Sequence, residues 1–323
     1  MVRSAKDGEN IASIDIGSFT ARLLVARKMN PPGLFHPFDR RRSYIRLAEG
    51  FDDHKRKTIC PSAIERALNV LKEFSLSAKE YGVEDIQAVS TGVVRRAVNQ
   101  DDFLRLIREK TGIIARVISG EEEADLTMRG VNHALHLKSD SSLIFDLGGG
   151  TTEFISGLKG NIELRSLPLG AMLLQERFLV SDPPDADQIK GLLEYIDRKL
   201  EEALFHDHCI PENTRLVGSG GTVTTLAAMM KRMETRDITP EKLNGSILIR
   251  NRIERLFEYM KSVPGSERLR LPGLDEDRAK VILAGTSVIV RILEYLKLWE
   301  LTVCCSDILE GILISYLEGD KNE

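Results

Sequence analysis

Apolar residues in the first thirty positions fall in two runs, Ile11 to Ile16 and Leu23 to Ala26, separated by the turn-forming segment after Asp15-Ile16-Gly17-Ser18. Two strands joined by a tight turn fit this pattern. Pro31-Pro32-Gly33 breaks the chain, and a basic, strand-like stretch follows from about Arg40 to Leu47. Pro61 then opens a helix whose Ile64, Leu68, Leu71 and Phe74 share one face. Strands at Ile86 to Val89 and Ala115 to Ile118 bracket a helix over Asp101 to Lys110, a β-α-β pattern. Another helix begins near Gly120, and the apolar strand Ser142 to Phe145 runs into Asp146-Leu147-Gly148-Gly149-Gly150-Thr151-Thr152-Glu153 before Phe154 and Ile155, a second hairpin.

The two hairpins repeat one order of residues. Ile14-Asp15-Ile16-Gly17-Ser18 and Phe145-Asp146-Leu147-Gly148-Gly149 are each apolar, acidic, apolar, then turn. A duplicated α/β architecture would place its two loops at these points. A helix from Asp185 to Leu204 and a strand at Arg215 to Val217 lead to a third glycine loop, Gly218-Ser219-Gly220-Gly221-Thr222, which opens a further helix. Near the C-terminus, Arg278 to Leu296 reads as one long buried helix and Leu301 to Cys305 as a strand. Ser306-Asp307 caps a last helix reaching Leu317. Alternating elements predict an α/β fold.

With 323 residues, 42% of them hydrophobic and 29% charged, the chain has material for two cores and is not a disordered sequence. No stretch has the length and apolarity of a membrane span, and the polar first ten residues lack the apolar core of a secretion signal. The expectation is a soluble cytoplasmic protein with no membrane partner. A net charge of −4 argues against general nucleic-acid binding, so any polyanion must be met by a local site. Cys60, Cys209, Cys304 and Cys305 show no C-x-x-C pairing, as expected of reduced thiols. The apolar stretch Val281 to Leu293 would suit a core or, in a homodimer, a subunit interface.

Runs of small residues let successive backbone N–H groups converge, so the loops after Asp15, Asp146 and Val217 could each cradle a phosphate. Any one of them alone is equally a plain tight turn. Neither G-x-x-x-x-G-K-[ST] nor a strand-borne G-x-G-x-x-G occurs. Asp15 and Asp146, each ending a strand before such a turn, are hard oxygen donors suited to Mg²⁺, or simply turn caps. Glu121, Glu122 and Glu123 open a helix, where the dipole favours acids; one of them aimed into a cleft would serve as a base toward water. Glu153 could position that water, or be an ordinary strand residue. Arg22 and the segment Thr91-Gly92-Val93-Val94-Arg95-Arg96 offer guanidinium forks and a hydroxyl to anionic oxygens. His133 with His136, and His206 with His208, lack a third ligand and read as exposed imidazoles rather than metal sites.

Taken together, Asp15-Ile16-Gly17-Ser18, Ser90-Thr91-x-x-x-Arg95-x-Ala97-x-Asn99, Ile118-Ser119-Gly120-Glu121-Glu122-Glu123-Ala124, the Asp146 to Glu153 loop, Gly218 to Thr222, and Ser306-Asp307 with Glu310-Gly311 make the chain resemble the exopolyphosphatase and guanosine pentaphosphate phosphohydrolase family. The resemblance runs from Ile11 to about Leu317 and implies two ribonuclease-H-like domains of the actin-like ATPase superfamily flanking a central cleft. The expected domains are 8–125 and 126–323, with the last helix free to pack back on the first. It implies Glu123 as catalytic base and Glu153 as the second, water-positioning glutamate. It also implies Asp146 with Asp15 at Mg²⁺, and Asp15, Ser18, Arg22, Thr91, Arg95, Gly148, Gly149, Gly220 and Gly221 as the phosphate-binding set. One departure is Phe19-Thr20, where many relatives have a further polar residue. The activity implied is release of terminal phosphate from inorganic polyphosphate or guanosine pentaphosphate. The alternatives are a kinase or chaperone-like ATPase of the same superfamily, and a regulatory protein that binds guanosine pentaphosphate without cleaving it.

Overall fold

The computed structural model describes residues 8–29, 34–51, 57–137, 142–156, 163–203 and 214–319. The Pro31-Pro32-Gly33 break, Cys209, His206 and His208 lie outside them. Contacts divide the chain into two units: unit 1 runs to Gly130 and resumes at Asp307, and unit 2 runs from Val131 to Ser306.

In unit 1, β1 (Asn10–Ile16) and β2 (Thr20–Lys28) form the expected hairpin, with Asp15 opposite Arg22. Gly17 N–H donates to Thr20 O at 3.0 Å and closes the turn. β3 (Phe35–Tyr44) adds antiparallel to β2 and begins at Phe35, not Arg40. The register shifts between Val25 and Ala26, opposite Pro37 and Asp39, so a bulge on an edge strand breaks the alternation that would have revealed it. α1 (Pro61–Glu80) starts on its proline. β4 (Ile86–Ser90) lies parallel to β1, then come α2 (Gly92–Arg96), α3 (Gln100–Thr111) and β5 (Ala115–Val117), giving the strand order β3-β2-β1-β4-β5. α4 (Gly120–Leu135) follows, capped where Ser119 Oγ accepts from Glu122 N at 3.1 Å.

Unit 2 repeats the plan. β6 (Ser142–Leu147) and β7 (Thr152–Ser156) pair antiparallel with Asp146 opposite Glu153, and Gly148 N–H donates to Thr151 O at 3.0 Å. β8 (Glu163–Leu167) and α5 (Ala171–Phe178) come next, then α6 (Ala186–Ala203), β9 (Arg215–Ser219) parallel to β6, and α7 (Gly221–Met230). The rest comprises a 3₁₀ turn at Thr235–Asp237, α8 (Pro240–Leu243), β10 (Ile247–Ile249), α9 (Arg250–Ser262), α10 (Gly265–Arg268), α11 (Glu276–Ala279), α12 (Ile282–Tyr295) and β11 (Glu300–Val303). Strands run β10-β11-β9-β6-β7-β8. Read from β8, this is the order of unit 1 with β10 added at one edge.

The single helix expected over Arg278 to Leu296 is two. Asp275 Oδ1 accepts from Arg278 N at 2.8 Å and caps a one-turn α11, and Val281, at φ −124° and ψ −7°, leaves helical geometry before α12 starts. The charged Glu276-Asp277-Arg278 turn stays at the surface while Ile282 to Val290 are all buried. Val281 to Leu293 therefore belongs to the core of its own unit, among Leu192, Ile196, Phe257 and Val223.

Last comes α13 (Ile308–Gly319), a member of unit 1. Its Leu309, Leu313, Ile314 and Leu317 pack with Ile11, Leu24 and Ala26 on one face of the sheet, while Ala63, Ala67, Leu71 and Phe74 of α1 join the cluster of Ile14, Leu23 and Val25 on the other. A strand covered on both faces reads as a continuous apolar run, which is why Leu23-Leu24-Val25-Ala26 does not alternate. Two mixed α/β units with one repeated strand order are the ribonuclease-H-like arrangement of the actin-like ATPase fold. Among the described residues no helix is long and apolar enough to cross a membrane.

Candidate functional site

The β1–β2 register sets the centre of the unit 1 site. Asp15 and Arg22 are direct cross-strand partners, and both Nε and Nη2 of Arg22 donate to Asp15 Oδ2, at 3.0 and 2.8 Å. Arg22 Nη1 donates to Asp307 Oδ2. Asp307 is more than a helix cap. Its Oδ1 accepts from Leu309 N at 3.2 Å, while Glu310 Oε2 accepts from Asp307 N at 2.9 Å, the reciprocal pattern of a capping box. Glu310 Oε1 in turn accepts from Arg40 Nη2 of β3. Asp15, Asp307 and Glu310 are each at least 95% buried, and two arginines serve all three carboxylates.

Glu123 stands one turn into α4, and its Oε2 accepts from Arg95 Nη1 at 2.9 Å; the same nitrogen donates to Ile118 O at 3.1 Å. The structure separates the three acids: Glu121 is exposed, Glu122 pairs with the exposed Arg116, and Glu123 turns toward Arg95. α4 is fixed against α13 at Gly311, where a Cβ would lie 1.8 Å from Leu126 O, so only glycine lets the backbones approach. Ser18 and Thr91 act within the scaffold. Ser18 Oγ accepts from Val93 N at 3.0 Å, and Thr91 N donates to Ile16 O at 3.1 Å, so together they hold the segment that carries Arg95 against the first loop.

Burial pushes the Glu123 carboxyl above the usual range; the Arg95 hydrogen bond opposes this and the nearby Asp15 charge adds to it. Asp15 is likewise raised, by burial first, with Arg22 opposing and Asp307 adding. At both carboxyls desolvation outweighs the arginine. Counted by ion pairs, Asp15, Asp307 and Glu310 against Arg22 and Arg40 leave one negative charge over, and Glu123 with Arg95 is neutral. Asp15 Oδ1 is buried with no hydrogen-bond partner. A hard cation fits that oxygen, and Mg²⁺ needs only one or two carboxylates because it keeps most of its water. Among the described residues there is no cluster of three or more acidic, histidine or cysteine ligands placed to hold a metal ion.

In unit 2, Asp146 and Glu153 are cross-strand partners, so two carboxylates stand where unit 1 has an acid and a guanidinium. Glu153 Oε1 accepts from Ser166 Oγ at 2.9 Å. The Gly148-Gly149-Gly150 loop gives its carbonyls to the start of α5: Gly148 O accepts from Ala171 N at 3.0 Å, Gly149 O from Met172 N at 2.9 Å and Leu173 N at 3.0 Å, and Gly150 O from Gly170 N at 3.2 Å. In a trans peptide N–H opposes C=O, so the N–H groups of Gly149, Gly150 and Thr151 point away from α5. The third glycine loop closes on the same place. Gly220 has φ +96°, and a Cβ there would lie 2.4 Å from Leu147 O and 3.0 Å from Asp146 Oδ1. Ser219, in register with Asp146 across β6 and β9, has a buried Oγ without a partner.

The structure thus gathers Asp15, Arg22, Arg95 and Glu123 in unit 1, and Asp146, Gly148, Gly149, Glu153, Gly220 and Gly221 in unit 2. It adds residues the sequence reading left out of the site: Asp307, Glu310 and Arg40 in unit 1, and Ser219 and Arg278 in unit 2. The Arg278 guanidinium lies on Gly221, where a Cβ would meet Nη2 at 1.8 Å. In the sequence Asp307 reads as a helix cap, and Asp307 with Glu310 as one motif of the family resemblance, without a site role. Arg278 carried no local signal, being 57 positions from the loop it touches.

Known proteins resemble the chain along nearly its whole length. The chain is 30% identical to exopolyphosphatase 2 of Mycobacterium tuberculosis over 94% of its length and 98% of that protein. It is 31% identical to a bifunctional 3-dehydroquinate synthase/phosphatase of Fusobacterium nucleatum over 97% of its length, but spans only 47% of that longer chain. The crystal structure of an exopolyphosphatase from Cytophaga hutchinsonii superposes with a TM-score of 0.82 at 31% identity, covering 96% of this chain and 98% of that one. Residues 24–319 match the Ppx/GppA phosphatase family. The chain belongs to the Ppx/GppA phosphatase family, with two units of the actin-like ATPase fold.

Proposed function

We propose that the protein releases terminal phosphate from inorganic polyphosphate by attack of a water that Glu123 deprotonates. The observation that carries this reading is Glu123 itself: a half-buried carboxyl with a raised pKa, hydrogen-bonded to Arg95 and close enough to Asp15 to feel its charge. A base whose pKa is lifted toward neutrality takes a proton more effectively than a solvated carboxylate. Arg22 and Arg95 meet the phosphate oxygens and offset the charge on the reacting group. As the water oxygen bonds to the terminal phosphorus, its proton passes to Glu123 Oε. The anhydride P–O bond then breaks, the shortened chain leaves with that bridging oxygen, and Glu123 returns its proton to solvent.

Within unit 2, the loops at Gly148, Gly149, Gly220 and Gly221 and the Arg278 guanidinium form a second set of groups suited to phosphate, with Glu153 beside them as a carboxylate able to orient water. Each unit carries an aspartate of its own that would suit Mg²⁺, Asp15 in unit 1 and Asp146 in unit 2. A bound ion would neutralise charge on phosphate oxygens. Relatives described as exopolyphosphatases support polyphosphate as the substrate, and guanosine pentaphosphate offers the same terminal anhydride. The test is kinetics on short polyphosphate, long polyphosphate and guanosine pentaphosphate side by side, in Mg²⁺ and without a phosphate acceptor. The expected result is a kcat/KM at least about tenfold higher for polyphosphate, about 1.4 kcal/mol of discrimination. The reverse order would move the assignment to the nucleotide, and no release from either would remove it.

A further inference from the structure

Every oxygen of the α13 capping box has an assigned partner. Asp307 gives one oxygen to Leu309 N and the other to Arg22; Glu310 gives one to Asp307 N and the other to Arg40. Arg40 stands on β3, opposite Leu24, and its side chain donates to Glu310. Its hydrogen-bonded route to the site runs through Glu310, beside a direct charge interaction with Asp307 and Arg22. Glu310 is 97% buried, and Arg40 is the one cation paired with it among the described residues. Without Arg40, Glu310 keeps a buried charge uncompensated or draws the Arg22 guanidinium toward α13. Each of these changes how it holds Asp307 N–H, and with it the Asp307 carboxylate that fixes Arg22 Nη1. The other edge of Arg22 is anchored on Asp15.

We propose that Arg40 is a positioning residue for phosphate binding, acting through Glu310 and Asp307 to fix the guanidinium of Arg22. The inference rests on the reading above that Arg22 meets substrate phosphate. A planar fork clamped at both edges presents its N–H groups in one orientation, so less freedom is lost when an anion binds. The relay therefore belongs to substrate affinity more than to the chemical step.

The experiment measures kcat and KM for phosphate release from inorganic tripolyphosphate in Mg²⁺, with Tm recorded for each variant. Arg40→Met is expected to raise KM about tenfold while kcat stays within about threefold, as loss of ground-state binding requires. Arg40→Lys keeps the charge and returns KM to within about threefold of wild type. Adding Glu310→Gln to Arg40→Met also restores KM, because the amide oxygen still accepts from Asp307 N and needs no cation. Should Arg40→Met not fold, Arg40→Gln is read in its place, with a KM rise in the same direction. A lowered Tm with unchanged KM in the Arg40 variant means a purely structural pair and overturns the relay. Arg22→Lys is run alongside: a raised KM there with none in the Arg40 variant overturns the relay alone. An unchanged KM in Arg22→Lys overturns the reading of the site and the relay with it.

Discussion

The two hairpins are one structure carrying opposite charge. Each is an antiparallel pair closed by a glycine N–H donating to a threonine carbonyl at 3.0 Å, and each has a parallel neighbour beside its first strand. Each places an aspartate at the same position. The residue opposite differs: Arg22 faces Asp15, and Glu153 faces Asp146. Backbone duplication therefore fixes where side chains emerge and leaves their chemistry open. Unit 1 uses the position to hold a cation among buried acids. Unit 2 sets two acids at the facing positions.

Exchanging the two charges should break this division. Arg22→Glu would leave Asp15 and Asp307 buried without their shared cation, a loss of about 3–5 kcal/mol of the kind measured when one partner of a buried ion pair is removed. Chemical denaturation would show it as a collapse of the midpoint. Glu153→Arg, which gives unit 2 the pairing of unit 1, should lower turnover on tripolyphosphate about a hundredfold, the scale for a misplaced attacking group. Its melting temperature, recorded alongside, separates loss of turnover from loss of fold. A variant with wild-type turnover would show that the acid at this position has no part in the reaction.

Gly220→Ala probes the loop without altering charge. The new Cβ would require a left-handed backbone and an approach of 2.4 Å to Leu147 O, so a loss of about 2 kcal/mol is expected, in the usual range for enforced strain. An unchanged melting curve would mean that the loop rests elsewhere.

The smallest effect concerns pH. Asp15 and Glu123 are both raised, so the folded chain binds their protons more tightly than the unfolded one. Stability of the ligand-free protein should fall as pH rises from the ordinary carboxylate range through their raised pKa values. Mg²⁺ should return stability in that same window, and its Tm increment should shrink in acid. The acid limb of kcat/KM should sit above that of an ordinary glutamate, since Glu123 must lose its proton to act as base. A Tm increment independent of pH would detach the cation from these carboxylates.

Much of this was legible because it is local. The strand-turn-strand runs, the glycine loops and the acidic start of α4 are set by residues a few positions apart, and their chemistry follows from type and spacing. What the sequence hid is non-local or irregular. Arg40 and Glu310 meet across 270 positions, and Arg22 and Asp307 across 285. No periodicity encodes such contacts. β3 reads short because Pro37 and a bulge interrupt it, and of the two other edge strands β8 has no apolar alternation while β10, Ile-Leu-Ile, is only three residues long. α11 was joined to α12 because nothing between Lys280 and Ile282 resembles a helix breaker. Among Glu121, Glu122 and Glu123, the residues alone gave no choice; the family resemblance pointed to Glu123, and the Arg95 contact supplies the physical reason.

The most direct test is phosphate release from tripolyphosphate in Mg²⁺ by wild type and Glu123→Gln, with tripolyphosphate binding measured on both. Wild type should release phosphate without an acceptor, and the variant should bind the substrate yet turn it over about a thousandfold more slowly, inside the range for a lost general base. Near-normal release by Glu123→Gln would contradict the account.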